Sequence, residues 1–228
     1  MIISAGNDIV DLGIIDAKRT KDQRFYTKFI TGTETALHGQ PHLADMPFEY
    51  FVWMVWSVKE SIYKFMQRHN PSLVFSPSKI VIKQIEYPGA TVTTAVTQSE
   101  IEAKGFDSQI TYNGIVIFGA DTFYSRSIVS SSYVATFVNN TDELENIYWG
   151  INRINLSEPE CESKAVRQFL LNKLATVLAP GDLTIIKNPS GCPVLFTGDN
   201  EVGVPVSLTH HGHYIAYAFL RDEHSSGS

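Results

Sequence analysis

The sequence has few of the features that mark secreted, membrane-spanning or nucleic-acid-binding proteins. Its only cysteines are Cys161 and Cys192, which have neither metal-site spacing nor histidine neighbours in sequence. It has no run of about 18 apolar residues, and its first residues lack the basic start and long apolar stretch of a secretory signal. Lys and Arg number 18 against 24 Asp and Glu, for a formal net charge of -6. We therefore expect a cytoplasmic protein with free thiols that neither enters a membrane nor binds nucleic acid.

The hydrophobic pattern predicts an α+β fold. Helices are expected over 47–69 and 158–178, because apolar residues recur there at spacings of three and four. A strand is expected within 2–12, ended by the polar turn Gly6-Asn7-Asp8, so that Asp8 lies at a strand end. The other predicted strands are 78–86, 90–97, 114–118, 132–138, 183–187, 193–196 and 214–220.

The two parts of the chain end in a similar pattern. Residues 125–138 and 206–219 each run from a polar turn through an aromatic residue into small and apolar residues, and a long helix precedes each segment. This favours an internal duplication, with two similar subdomains related by a pseudo-twofold axis, each of antiparallel strands packed on a long helix. The expected boundaries are 1–140 and 150–221, with a polar linker at 139–145 and a loose tail at 222–228.

The predicted helix over 47–69 carries a charged group that allows two interpretations. Within Trp56-Ser-Val-Lys-Glu-Ser-Ile-Tyr-Lys, Glu60 and Lys64 are four residues apart and share a helix face, with Lys59 adjacent. An exposed Glu–Lys pair at this spacing is common and contributes only about 0.2–0.5 kcal/mol. The second interpretation, a ligand site, is favoured because a largely apolar, Trp-flanked helix displays two lysines and a glutamate.

Asp8 also allows two interpretations. An aspartate after a Gly-Asn pair is often a turn former or a helix cap. Magnesium, however, prefers oxygen ligands and commonly takes one or two carboxylates together with substrate phosphate oxygens. Asp8 and Glu60 together therefore suit a metal–pyrophosphate site, beside which a lysine would hold phosphate as a point charge.

Two segments of the first part carry a resemblance to a known family. Gly6-Asn-Asp-Ile-Val and Trp56-Ser-Val-Lys-Glu-Ser-Ile-Tyr-Lys resemble the paired signature of the 4'-phosphopantetheinyl transferases, G-x-D followed by W/F-x-x-K-E-x-x-x-K. The second motif matches at every defining position. The resemblance implies a magnesium-dependent enzyme that transfers the phosphopantetheine arm of coenzyme A to a serine of an apo acyl or peptidyl carrier protein.

The resemblance also implies roles for individual residues. Asp8 and Glu60 would bind magnesium, and Lys64, with Lys59 beside it, would contact coenzyme A, Lys64 at the pyrophosphate. Glu60, or a water on the metal, would help to deprotonate the carrier serine. Glu60 and Lys64 are thus the expected catalytic residues.

The second part of the chain resembles the other half of the larger, surfactin-type members. Residues 165–171, 188–193 and 206–214 are similar to the family's arginine-bearing helix, G-K-P turn and histidine strand, which implies that Arg167 and His210 contact the nucleotide phosphates. The alternatives are a solvated helix charge for Arg167 and a turn histidine for His210. Cys192 stands where the turn lysine is expected, and Lys187 is the candidate substitute.

The sequence also departs from the family pattern. The metal-binding half comes first, as in a circular permutation or a fused pair of the short holo-acyl-carrier-protein synthases, and Val10 stands where larger members have a third acid. Two alternatives stay open: a non-catalytic module that binds coenzyme A or a carrier protein, and an unrelated α+β protein. Because a duplicated chain can build its interface internally, we expect a monomer.

Overall fold

A computed structural model describes residues 4–87, 100–106, 111–155, 159–178 and 181–221. The helices are α1 (Ala17–Thr20), α2 (Gln23–Tyr26), α3 (Gly32–His38), α4 (Phe48–His69) and α5 (Pro159–Val177). The strands are β1 (Gly6–Asp11), β2 (Ile80–Glu86), β3 (Glu100–Lys104), β4 (Tyr112–Phe118), β5 (Asp121–Val129), β6 (Tyr133–Asn139), β7 (Ile147–Arg153), β8 (Leu183–Lys187), β9 (Pro193–Thr197), β10 (Asn200–Glu201), β11 (Val206–His211) and β12 (Tyr214–Leu220). Within these ranges, none of the helices has the length and apolar character needed to span a bilayer.

The strands form three antiparallel sheets. The five-stranded sheet has the order β1-β6-β5-β4-β2, the four-stranded sheet β11-β12-β7-β3, and the three-stranded sheet β10-β9-β8. Every pairing between described strands is antiparallel. The predicted α+β class with antiparallel strands is confirmed.

Alternating side chains on the central strands separate three hydrophobic cores. On β1, Val10 packs into the core beneath α4, whereas Ile9 belongs to the core between the five-stranded and four-stranded sheets. On β12, Ala216 faces that central core, and Tyr217 packs into the third core with α5. Successive strand residues point to opposite faces, so each central sheet is buried on both sides. The resulting layer order is α4, five-stranded sheet, four-stranded sheet, α5.

Helix α4 forms because its apolar residues repeat at helical spacing and are buried. Phe51, Val55 and Ile62 are fully closed to solvent, and the helix packs on β1 and β6. It ends at His69, just before the Asn70-Pro71 pair, as predicted. The ring of a proline disfavours helical geometry in the residue before it.

The backbone of β1 approaches α4 closely at Gly6. A Cβ atom built on Gly6 would lie 2.1 Å from the carbonyl oxygen of Ser61 and 2.9 Å from a methyl group of Val138. Only a residue without a side chain fits between the strand and the helix. The glycine of the G-x-D motif thus lets β1 lie against the helix that carries Glu60 and Lys64.

Several expectations differ from the structure or fall outside it. Asp8 is not at a strand end: it lies inside β1, paired with Thr136 of β6, because the ladder continues through Asp11. Strand β3 joins the four-stranded sheet through β7, although it precedes the expected boundary near residue 140. The expected strand at 90–97 and the tail at 222–228 lie outside the described residues.

Candidate functional site

Three elements bring polar side chains together at the centre of the molecule. Lys64 of α4 places Nζ 2.8 Å from Oδ1 of Asp8 on β1. The Thr209 hydroxyl, on β11, accepts from Lys64 at 3.0 Å and donates to the same Asp8 oxygen at 3.0 Å. The result is a closed triangle of contacts that joins the two parts of the chain.

Glu60 completes this group from the preceding turn of α4. Its Oε1 atom lies 3.4 Å from Lys64 Nζ, so Asp8 and Glu60 approach the same ammonium group. Burial and the neighbouring Asp8 carboxylate raise the pKa of Glu60, and this effect outweighs the opposing influence of Lys64. Burial disfavours the charged form of Lys64, but the carboxylates of Asp8 and Glu60 outweigh burial, so the pKa of Lys64 is raised.

The carboxylates of Asp8 and Glu60 provide the oxygen ligands that a hard divalent cation prefers. Asp8 is 4% exposed, and its second oxygen, Oδ2, is buried without a hydrogen-bond partner in the described part of the chain. A buried carboxylate oxygen is normally satisfied, and a cation would satisfy this one. No group of three or more His, Cys, Asp or Glu within the described ranges is arranged as a metal cage. Asp8 and Glu60 thus suit magnesium, which commonly uses one or two carboxylates with water and phosphate oxygens.

A pocket of about 220 Å³ opens beside this group. Its wall includes Glu60 from the first part of the chain and basic side chains from both parts. These basic residues are Lys64, Arg68, Arg167, Lys187 and His210. Glu60 is the only carboxylate along the described wall, so the pocket is electrostatically suited to an anion.

The structure therefore brings most of the expected site residues to one place. Glu60 and Lys64 line the pocket from α4. Three residues of the second part line it from α5, β8 and β11, namely Arg167, Lys187 and His210. Cys192 is also in the wall, in a turn held by Asn188, whose side-chain oxygen accepts from the backbone N–H groups of Ser190 and Cys192. Both cysteines are free, as expected.

Lys59 is the exception. Its buried position does not allow the expected contact with coenzyme A. Its side chain is fully buried, with Nζ donating to the Glu34 carboxylate at 2.8 Å and to the Phe29 carbonyl at 2.6 Å. Lys59 and Lys64 are five residues apart and project from different sides of α4. A lysine closed to solvent and paired inside the protein has no access to a ligand in the pocket. We assign Lys59 a structural role.

Two residues of the site were not identified from the sequence. Arg68 follows Lys64 by one helical turn, lines the pocket, and donates to the backbone carbonyls of Pro193 and Val206, which ties α4 to β9 and β11. Burial lowers the pKa of Arg68. Glu162 of α5 contacts His210, with Oε2 2.6 Å from Nδ1. The four-residue spacing from Lys64 would have suggested Arg68, whereas Glu162 is joined to His210 only by the tertiary fold.

The chain was compared with protein-family models, with curated proteins and with solved structures. None of the three comparisons found a match.

Proposed function

We propose that the protein is a magnesium-dependent transferase that moves the 4'-phosphopantetheine arm of coenzyme A to a serine of an apo acyl or peptidyl carrier protein. One observation carries the proposal: Asp8, Glu60 and Lys64 meet beside a pocket to which the second part of the chain adds Arg167 and His210. These are the residues on which the resemblance to the 4'-phosphopantetheinyl transferases rests. The proposal also includes a cytoplasmic location and a monomeric state.

The strand order supports a further part of the proposal, two similar subdomains about a pseudo-twofold axis. The first strand of each part pairs with its last strand, β1 with β6 and β7 with β12, and these last strands pair with β5 and β11. A long helix, α4 or α5, lies in sequence between the first strand and the strands that follow. The parts differ at β8 and β9, which form a separate sheet with β10.

The basic wall of the pocket would bind the phosphates of coenzyme A. Lys64 would hold the pyrophosphate as a point charge, and Arg167, Lys187 and His210 would contact the nucleotide phosphates. Fixed cations in a partly closed pocket stabilise charge that develops on phosphate oxygens during transfer. Magnesium, held by Asp8 and Glu60, would supply further neutralisation of the pyrophosphate.

The transfer itself exchanges one phosphorus–oxygen bond for another. The carrier serine oxygen attacks the β-phosphorus, the bond to the bridging oxygen breaks, and adenosine 3',5'-bisphosphate leaves with that oxygen. The serine proton passes to Glu60, directly or through water. General-base assistance of this kind contributes roughly 10²–10⁴-fold, and positioning supplies much of the remainder.

The direct test is to incubate the protein with coenzyme A, Mg²⁺ and an apo carrier protein, and to weigh the carrier by mass spectrometry. The expected result is a carrier heavier by one phosphopantetheine group, with release of adenosine 3',5'-bisphosphate. Omission of Mg²⁺ and a carrier with the acceptor serine replaced by alanine are the controls. Binding of coenzyme A with no mass gain on a panel of apo carriers would instead support the non-catalytic binding module.

A further inference from the structure

A buried carboxylate stands behind the histidine of the pocket wall. Glu162 lies in the first turn of α5, its side chain is 8% exposed, and its Oε2 atom is 2.6 Å from Nδ1 of His210. The carboxylate accepts this hydrogen bond, so Nδ1 carries the shared proton. The other ring nitrogen, Nε2, has no hydrogen-bond partner in the described part of the structure and is free for a ligand.

The setting of His210 explains why a charged partner is needed. His210 shares the wall with four cationic side chains, and a protonated imidazole there is opposed by like charge. Glu162 supplies the compensating negative charge and does not itself line the pocket. A neutral acceptor, such as a backbone carbonyl, would orient the ring equally well but would not favour its charged form.

We infer that Glu162 is a positioning residue, which fixes the His210 ring and stabilises it as an imidazolium that donates Nε2–H to an anionic oxygen of the ligand. This inference rests on the proposed function in one respect: the anionic oxygen belongs to a phosphate of coenzyme A. Glu162 acts only through His210, in the way that carboxylates orient histidines at metal centres.

A double-mutant cycle tests this arrangement. The variants are Glu162→Gln, His210→Gln and the double variant, and the measurement is the dissociation constant of coenzyme A by calorimetry. Each single change should weaken binding by about five- to tenfold, and the double variant should be no weaker than His210→Gln alone. Glu160→Gln is the matched control, because Glu160 lies in the same helical turn and is exposed. If Glu162→Gln weakens coenzyme A binding as much in the His210→Gln variant as in the wild type, Glu162 does not act through His210 and the inference is overturned.

Nitrogen NMR of the His210 ring separates this inference from the proposed function, with inorganic pyrophosphate as the probe. The expected result is a protonated Nδ1 in the wild type and a pyrophosphate-induced shift at Nε2 that Glu162→Gln loses. If this holds while the protein neither binds coenzyme A nor modifies a carrier, the proposed function is wrong and the positioning role stands. If the wild type and Glu162→Gln give the same ring signals and the same response, the positioning role is wrong.

Discussion

Lys64 and Asp8 form an ion pair within the first part of the chain, with Nζ 2.8 Å from Oδ1. The hydroxyl of Thr209, from the second part, lies 3.0 Å from both atoms. Glu60 approaches the same ammonium group at 3.4 Å. The ammonium group of Lys64 thus lies close enough to both candidate metal ligands to compensate their negative charge. If Asp8 and Glu60 bind magnesium as proposed, the response of the protein to this ion should depend on Lys64.

Replacement of Lys64 by alanine should make folding stability sensitive to magnesium. The change leaves the Asp8 and Glu60 carboxylates close together without a compensating cation, which lowers stability by like-charge repulsion. Mg²⁺ should then raise the unfolding temperature of Lys64→Ala more than that of the wild type, because a ligand that binds the folded state stabilises it. Thermal unfolding with and without Mg²⁺ measures this difference. Lys21→Ala is the control, since Lys21 forms a surface pair with Glu49 away from the pocket. An equal Mg²⁺ response in all three proteins would argue against an ion between Asp8 and Glu60.

Replacement of Glu60 by glutamine should abolish transfer while the protein stays folded. The substitution keeps the side-chain volume but removes a metal ligand and the proton acceptor, so the rate should fall by at least about 10²-fold. The measurement is the rate of mass gain on the carrier protein. Glu49→Gln serves as the matched control, because Glu49 is in the first turn of α4 and does not line the pocket. Full activity of Glu60→Gln would remove Glu60 from the mechanism.

The same substitution should change how stability depends on pH. The pKa of Glu60 is raised from 4.5 in the folded protein, so its contribution to stability is fully present below the unfolded pKa and is lost as pH rises through the folded pKa. Glutamine does not titrate. The free energy of unfolding of the wild type, relative to Glu60→Gln, should therefore fall as pH rises above 4.5. Urea unfolding of both proteins over a pH series measures the difference, and a rising difference would contradict the raised pKa.

Gly6→Ala should destabilise the fold by about 1–3 kcal/mol. The new methyl group would lie 2.1 Å from the Ser61 carbonyl oxygen, a backbone atom that moves only if α4 shifts from β1. Gly32→Ala is the matched control: Gly32 is the first residue of α3, and a Cβ there meets nothing within 4 Å. The control should be neutral or up to about 1 kcal/mol more stable. Urea unfolding of both variants tests the prediction, which would be wrong if the two variants were equally stable.

Lys59→Ala should destabilise the protein without a direct effect on the pocket. It leaves the Glu34 carboxylate buried without its ammonium partner, and loss of one member of a buried pair costs about 3–5 kcal/mol. The double variant Lys59→Met with Glu34→Gln removes both charges and should bind coenzyme A as the wild type does. Calorimetry on the folded double variant tests this. A large loss of coenzyme A affinity there would restore Lys59 to the binding site.

The sequence by itself determined the two long helices, α4 and α5, and the spacing of the charged residues on α4. Helix α4 was predicted to within one residue because apolar side chains at spacings of three and four have one way to be buried together. The same spacing places Glu60 and Lys64 on one face. Local patterns of this kind act between residues close in sequence and need no knowledge of the rest of the fold.

Only the tertiary structure decided which of these residues meet. Lys59 and Lys64 are five positions apart in one motif. Lys59 is buried in an ion pair with Glu34, whereas Lys64 lines the pocket, because neighbouring elements cover only Lys59 completely. Asp8 was expected in a turn but lies inside β1, where β6 supplies its backbone partners. Glu162 and His210 are 48 residues apart in sequence, and no local periodicity connects them. Burial, partner choice and charge compensation depend on long-range packing, which a residue's neighbours in sequence do not specify.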